Sequence, residues 1–226
     1  MKKLFLIVVV LVIVTPLAYC LVPFPYYSWN QKLTVEVEKD GKIYQASSVV
    51  KLSFHRSVTP HGTAYYGAVK GEAVALELDK GQYLFALLTD TKNNQDYIKE
   101  VAAKHVFEKE LLSLGAPSQD NNKNEIGYRN DWLPYMALLP LGKKGNLKSK
   151  FYPRFITFRD LNDRTSLKQI DPLKLEDYFG PNIRLKKVTI ELTDEPVTLG
   201  RMQKILNWYP QRPIPALHEN EETSTP

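Results

Sequence analysis

A period-two alternation of apolar and polar residues begins at Leu33 and constrains the fold of this chain more than any other feature. In LTVEVE, Leu33, Val35 and Val37 alternate with polar side chains, as on a strand that is buried on one face. The dipeptide Asp40-Gly41 follows and favours a two-residue hairpin turn, because both residues tolerate positive φ. The segment IYQASSVVKLSF is the predicted returning strand, so the domain is expected to begin with an antiparallel hairpin.

A second hairpin and two later strands carry similar patterns. In residues 74–78, bulky apolar side chains alternate with small or polar ones, and Gly81 permits the turn that follows. The apolar run of residues 83–88 predicts a returning strand that is covered on both faces. Residues 57–67 are interrupted by proline and glycine and are therefore predicted to form a loop. The later strands are predicted at residues 155–158 and 183–193.

One longer helix, over residues 94–114, is predicted to pack on this sheet. Its apolar residues recur at helical spacing, and Asn93 or Asn94 can cap its first turn. Gly115 suits the left-handed position that ends a helix, and Pro117 prevents its continuation. The predicted class is therefore α+β, with a mainly antiparallel sheet of hairpins packed against one longer helix.

The rest of the chain predicts loops and short helices. Residues 117–131 are polar and are predicted to form a loop, whereas residues 132–142 are apolar but broken by prolines, which predicts an extended segment. Short C-terminal helices are predicted at residues 171–180, capped by Asp171, and at residues 197–208, with Thr198 as the candidate cap.

Charge and cysteine content exclude several classes of function. The formal net charge is +5, and Lys2 and Lys3 account for two of these charges, leaving +3 for the rest of the chain. This mild excess does not predict a nucleic-acid partner, which requires a concentrated basic face. Because Cys20 is the only cysteine, the folded domain has no disulfide, cysteine nucleophile or thiolate metal site. No cofactor is predicted.

The N-terminal segment predicts a membrane location. Residues 1–3 form a basic cytoplasmic region, and residues 4–23 are apolar and long enough to span a lipid bilayer as a transmembrane anchor. The domain is then expected outside the cytoplasmic (inner) membrane. Two alternatives stay open: cleavage as a signal peptide near Cys20, which would export the domain to the periplasm, and acylation of Cys20, although Tyr19 departs from the usual lipidation motif.

A cluster of aromatic residues follows the apolar segment. Residues 24–32 are predicted to form an interfacial linker, because amphipathic rings favour the headgroup layer. Alternatively, these rings join the domain core. A single domain is predicted over residues 33–208, followed by a disordered tail, rich in proline and acidic residues, at residues 209–226. The candidate membrane-interface residues are Phe24, Tyr26, Tyr27 and Trp29.

A basic run is the main candidate contact surface. It would suit an acidic protein or an envelope polyanion, and Arg184, Lys186 and Lys187 could extend it, although a solvated loop is the simpler interpretation. The run consists of Lys143, Lys144, Lys148, Lys150 and Arg154.

Catalytic and metal-binding patterns are weak. His55 and His61, with Asp79 or Asp90, are the candidate ligands of a metal-dependent enzyme, but their spacing matches no established metal site. Asp160 and Asp163 lie in a segment that lacks the central glycine of a calcium loop, and they are expected to cap their own turns. His105, on the apolar side of the predicted helix, is expected to be a packing residue.

Four segments carry a resemblance to a protein family. They are NQKLTVEVE, GEAVALEL, FITFRDLNDRTSLKQIDP and FGPNIRLKKVTIELTDEPVT. The chain resembles an uncharacterised family of bacterial proteins with one N-terminal membrane segment and an α+β envelope domain. The resemblance implies a membrane-associated envelope protein and brings no activity or catalytic residue. The favoured function is a non-catalytic binding or scaffold role, and the alternatives are an envelope hydrolase or metal-dependent enzyme and a cleaved, secreted factor.

Overall fold

Two antiparallel sheets form the framework of the protein in a computed structural model, which describes residues 26–59, 62–90, 97–119, 122–126 and 130–210. The described part of the chain is mainly antiparallel sheet with a few short helices, so the α+β class is confirmed. In chain order the strands are β1 (Tyr26–Lys39), β2 (Lys42–Thr59), β3 (Gly62–Lys70), β4 (Val74–Asp79), β5 (Gln82–Asp90), β6 (Ser118–Gln119), β7 (Asn122–Ile126), β8 (Lys144–Asn146), β9 (Pro153–Phe158), β10 (Leu167–Ile170) and β11 (Ile183–Thr193).

The strands are grouped by pairing. Sheet A has the order β3-β2-β1-β11-β8, sheet B has the order β10-β9-β5-β4, and β6 pairs with β7 alone. The described α-helices are all short: α1 (Ala102–Val106), α2 (Glu108–Ser113), α3 (Leu133–Met136), α4 (Glu176–Phe179) and α5 (Arg201–Ile205).

Alternation along β1 determines which face of sheet A is buried. Leu33, Val35 and Val37 are each at most 1% exposed and face the main core, where they meet residues of sheet B and of the helices. Leu84 of β5 joins this core, whereas Phe85 faces a second cluster on the other side of sheet B. The prediction that this strand is covered on both faces is therefore confirmed.

The turn of the first hairpin is as predicted, whereas β2 and β3 are paired where a loop was predicted. Asp40 and Gly41 have φ values of 49° and 76°, as a two-residue hairpin turn requires. The loop predicted over residues 57–67 is wrong, because β2 and β3 pair from Lys51 with Lys70 to Thr59 with Gly62. Backbone hydrogen bonds join the two strands even though proline and glycine interrupt the sequence of residues 57–67.

The predicted long helix is also wrong. Residues 97–101 form a π-helical turn, and α1 and α2 follow it with a break at Phe107, whose φ is −105° and ψ is 16°. Phe107 is 1% exposed, and its burial in the main core accompanies this irregular backbone. Gly115 has a φ of 97° and ends α2 as predicted, while Asn93 and Asn94 lie outside the described residues.

Prolines and caps explain the remaining differences. Residues 132–142 are not simply extended, because Pro134 lies in the first turn of α3, where its missing N–H costs no helical hydrogen bond. The side chain of Asp171 accepts a hydrogen bond from the Leu173 N–H, but α4 begins only at Glu176. The helix predicted at residues 197–208 is the shorter α5.

The N-terminal boundary differs from the predicted linker. Strand β1 begins at Tyr26, so residues 26–32 belong to sheet A. No helix within the described ranges has the length and apolar character that are needed to cross a membrane. The predicted anchor at residues 4–23 lies outside those ranges, as does most of the predicted tail.

Candidate functional site: the outer face of sheet A

Strand alternation that buries one side of β1 directs its polar side chains to the opposite side of sheet A. In the register of the sheet, Thr34 lies opposite Thr189, and Glu36 lies between Lys187 of β11 and Gln45 of β2. These side chains line an open groove of about 370 Å³. We call this surface the outer polar face, and its side chains are Thr34, Glu36, Gln45, Lys144, Asn146, Lys187, Thr189 and Glu191.

Cross-strand ion pairs order this side of the sheet. Lys187 Nζ lies 3.2 Å from Glu36 Oε2, while Lys186 and Arg184 contact the two carboxylate oxygens of Glu38 at 2.8 and 3.0 Å. The hydrogen bonds from Lys186 and Arg184 hold the pKa of Glu38 below its ordinary value. Each of these three cations is therefore paired with a carboxylate of β1, and two of them share Glu38.

The chain that leaves β11 limits the outer polar face at one end. Asn30 Nδ2 donates to the Glu195 carbonyl at 2.9 Å, and Lys32 pairs with the Glu195 carboxylate at 2.6 Å. Thr198 then pairs with the free edge of β2. Its N–H donates to the Val49 carbonyl, and its Oγ1 accepts from the Val49 N–H. Residues 194–200, which we call the strap, thus cross the outer side of β1 to reach the edge of β2.

The outer polar face is suited to binding. Its cations and anions alternate across neighbouring strands, with Lys144 opposite Glu191 and Lys187 opposite Glu36. Amide and hydroxyl groups lie between them and can donate or accept hydrogen bonds. Such a surface complements a partner that places a negative charge opposite each lysine and a positive charge opposite each glutamate. Because these charges are exposed, salt weakens their interactions.

The predicted basic run is divided among different environments. Lys143 Nζ contacts Glu110 Oε1 at 2.7 Å, whereas Lys144 lines the outer polar face. Arg154 lies on β9, and its Nε atom is buried without a hydrogen-bond partner. A contact role for the five residues together stays a prediction.

Lys148 and Lys150, the remaining members of the run, lie near His105. The His105 ring stacks on Phe151 with 3.7 Å between centroids, so its predicted packing role is confirmed. Burial of this ring, assisted by the charges of Lys104, Lys150 and Lys148, lowers the pKa of His105 to about 4. The ring is therefore neutral at pH 7.

The candidate metal ligands are not brought together among the residues that the structure describes. His55 is exposed and stacks on Tyr66 at 5.8 Å, Asp79 pairs with Lys39, and His61 lies outside the described ranges. Within those ranges, no group of three or more histidine, cysteine, aspartate or glutamate residues could hold a metal ion.

The predicted turn caps are confirmed. The carboxylate of Asp160 accepts a hydrogen bond from the Asn162 N–H at 2.9 Å, and that of Asp163 accepts one from the Thr165 N–H at 2.8 Å. Two backbone donors are thereby satisfied by residues two positions earlier in the chain.

The candidate interface aromatics separate by strand face. Trp29 stacks on Phe54 with 5.4 Å between centroids and meets Trp132 edge-on at 6.1 Å, so it packs against the core. Tyr27 packs beside Tyr65 on the same side at 6.2 Å. By contrast, Tyr26 points outward and is 58% exposed, and Phe24 lies outside the described residues.

Most residues of the outer polar face were not singled out by the sequence. Thr34 and Glu36 are visible as the polar half of the β1 alternation, which was a usable signal. Thr189 and Glu191 lie more than 150 positions later in the chain. Only the pairing of β1 with β11 brings the two sets together.

Comparisons with known proteins found no matching family model, no matching curated protein and no matching solved structure. The resemblance to a bacterial envelope family therefore stays a prediction. The outer polar face, which is defined by geometry alone, is the basis of the functional proposal.

Proposed function

We propose that this protein is a non-catalytic binding domain, anchored outside the cytoplasmic membrane by residues 4–23, that docks a partner protein on the outer polar face. The observation that carries the proposal is the in-register alternation of charge on this face, with Lys187 beside Glu36 and Lys144 beside Glu191. A charge pattern fixed by strand pairing can select partners by sign and register.

The anchor part of the proposal comes from the sequence. The uncharged run that follows Lys2 and Lys3 favours a cytoplasmic N-terminus and an exported domain. A reporter fused to the C-terminus should be active only outside the cytoplasm, and N-terminal sequencing of the membrane fraction should begin before residue 4. A chain that begins after Cys20 would instead support the secreted alternative.

The partner part of the proposal is tested by site-specific photocrosslinking in cells that make the full chain. A crosslinking residue at Gln45, which is exposed in the groove, should yield one discrete protein adduct in the membrane fraction. The matched control is Lys174, which is exposed but does not line the groove, and it should yield none.

A charge test separates docking from chance proximity. Replacing Lys187 and Lys144 by glutamate should abolish the Gln45 adduct, because two positive charges of the outer polar face become negative and repel the acidic groups of the partner. If the adduct forms equally from Gln45 and Lys174, or survives both replacements, the outer polar face is not the docking surface.

An enzymatic function using His55 and His61 is the alternative. No contact among the described residues supports it, since His55 stacks on Tyr66 and Asp79 pairs with Lys39. The binding proposal is therefore preferred.

A further inference from the structure

One end of sheet A carries a row of exposed rings on its outer side. Tyr26 lies opposite His55 in the β1–β2 register, and His55 lies opposite Tyr66 in the β2–β3 register. Tyr26 is 58% exposed and Tyr66 is 49% exposed, and the ring of Tyr66 stacks on that of His55 at 5.8 Å. We call Tyr26, His55 and Tyr66 the aromatic row.

The row lies where the N-terminal segment joins the domain. The apolar run ends at about residue 23, and strand β1 begins at Tyr26. A chain gains at most about 3.6 Å per residue, so three residues reach about 10 Å. If residues 4–23 span a bilayer, Tyr26 therefore lies no more than about 10 Å from the hydrocarbon, which is about the depth of the headgroup layer.

The β2–β3 hairpin continues past the row toward the same side. Beyond the pair of His55 with Tyr66, the two strands form four further pairs, ending with Thr59 and Gly62. At about 3.3 Å per residue, this extension adds roughly 13 Å beyond the first residue of β1. The hairpin is thus the part of sheet A that extends farthest toward the proposed anchor.

Charges on the outer side of strands β1, β2 and β3 are asymmetric along their length. Two residues along β1 from the aromatic row, the next row of paired outward-facing residues consists of Ser28, Ser53 and Ala68. The third row consists of Asn30, Lys51 and Lys70. None of these strand residues carries a carboxylate, whereas Glu36 and Glu38 lie farther along β1. Glu195 of the strap lies beside the third row, where its carbonyl accepts from Asn30 and its carboxylate pairs with Lys32. Anionic headgroups attract the lysines and repel the carboxylates, so this end is the one suited to lie against lipid.

We infer that the aromatic row forms a second membrane contact, in which its exposed rings lie in the headgroup layer and fix the orientation of sheet A relative to the bilayer. Tyrosine favours this layer because its ring is apolar while its hydroxyl stays hydrated. The inference rests on the proposed anchor. It adds His55 and Tyr66, which the sequence did not place at the membrane, and it leaves Trp29 in the core.

The test uses the full chain with Cys20→Ala, reconstituted in vesicles of phosphatidylethanolamine and phosphatidylglycerol. A spin label is attached at Tyr66→Cys or, as the matched control, at Ile43→Cys. Ile43 is 47% exposed on the same side of sheet A, opposite Glu38 and about 40 Å along β1 from Tyr26. Accessibility to oxygen, which is enriched in lipid, is compared with accessibility to a water-soluble nickel complex.

The expected result is an oxygen-to-nickel accessibility ratio severalfold higher at position 66 than at position 43. Equal, water-like ratios in protein that floats with the vesicles would overturn the second contact and leave the anchor intact. Failure of the full chain to float with vesicles would overturn the anchor itself, and the inference with it. Circular dichroism of both labelled variants should match that of the parent chain, since both positions are exposed.

Discussion

His105 shows how burial changes the chemistry of a single residue. Its ring stacks on that of Phe151. Its Nδ1 atom is buried without a hydrogen-bond partner and lies 3.9 Å from Oε1 of Glu108. Desolvation and the neighbouring lysines outweigh the attraction of Glu108 for a proton, so the pKa falls to about 4. A residue that titrates near neutrality in most proteins is a neutral packing group here.

The free energy of unfolding should depend on the protonation of His105. The unfolded ring binds a proton near pH 6.5 and the folded ring only near pH 4, so protonation favours the unfolded chain between these values. The contribution is fully present above pH 6.5 and is lost as the pH falls toward 4, by about 2–3 kcal/mol. Denaturant unfolding of the full chain in detergent at pH 7 and pH 4 measures it.

His105→Phe should reduce this loss between pH 7 and pH 4, because a phenyl ring can stack on Phe151 and cannot be protonated. His55→Gln, at an exposed histidine, is the control for the general effect of removing an imidazole, and the pH slopes of the two variants are compared with that of the parent chain. An unchanged slope in His105→Phe would show that His105 is not the group responsible.

Helix α5 shows that an element can depend on a distant residue. Its first N–H groups do not bond to the predicted cap Thr198. They donate instead to the carboxylate of Glu72, from Gly200 at 2.6 Å, Arg201 at 2.9 Å and Met202 at 3.2 Å. Glu72 is 5% exposed and lies between β3 and β4. Its negative charge compensates the positive end of the helix, which fixes where the C-terminal segment docks.

Glu72→Ala should destabilise the protein by about 2 kcal/mol, because it leaves buried donors of α5 without their acceptor. Denaturant unfolding measures the loss, and protease should cleave sooner near α5 than in the parent chain. Glu176→Ala, at an exposed site in α4, is the control and should change stability by less than about 0.5 kcal/mol. Equal effects of the two replacements would contradict the capping role.

At the scale of the whole molecule, the strap joins two cores into one structure. It leaves β11 on the outer side of sheet A, follows the edge of β2 and leads into α5, which covers the far side of sheet B. Met202 and Leu206 fill the second cluster, and Trp208 meets Phe158 edge-on at 5.4 Å. Because β5 contributes to both cores, loss of either should disrupt the other.

The two cores should therefore unfold in one cooperative transition. Trp208→Phe leaves Trp29 and Trp132 as probes of the main core, while a Trp29→Phe, Trp132→Phe variant leaves Trp208 as the probe of the second cluster. Within each variant, the urea midpoint from tryptophan fluorescence should coincide with that from far-ultraviolet circular dichroism. An earlier fluorescence transition at Trp208 would show that the second cluster opens separately.

Local pattern was sufficient where the determining interactions are local. The Asp40-Gly41 turn, the alternation of β1 and the helix-ending Gly115 were predicted because each depends on neighbouring residues. The predicted helix over residues 94–114 failed because the backbone is irregular at Phe107, which is buried in the main core, and local spacing does not reveal such a break. The predicted loop over residues 57–67 failed because backbone pairing needs no apolar pattern.

For the candidate site, the sequence supplied the basic run and the polar half of β1, but not the neighbours of these residues. The basic run is continuous in sequence, yet folding pairs Lys143 with Glu110, directs Lys144 to the outer polar face and places Lys148 and Lys150 beside His105. Electrostatic environment depends on distances of a few ångströms, and strand pairing sets those distances across large separations in sequence.

The sequence by itself determined the β1–β2 and β4–β5 hairpins, the side of β1 that is buried and the absence of cysteine from the domain, since each follows from residue type or local periodicity. Only the tertiary structure decided that β11 pairs with β1, that Glu72 caps α5 and that Tyr26, His55 and Tyr66 form one row. The physical reason is that these contacts join distant segments, and burial of the shared core selects among the pairings that local patterns allow.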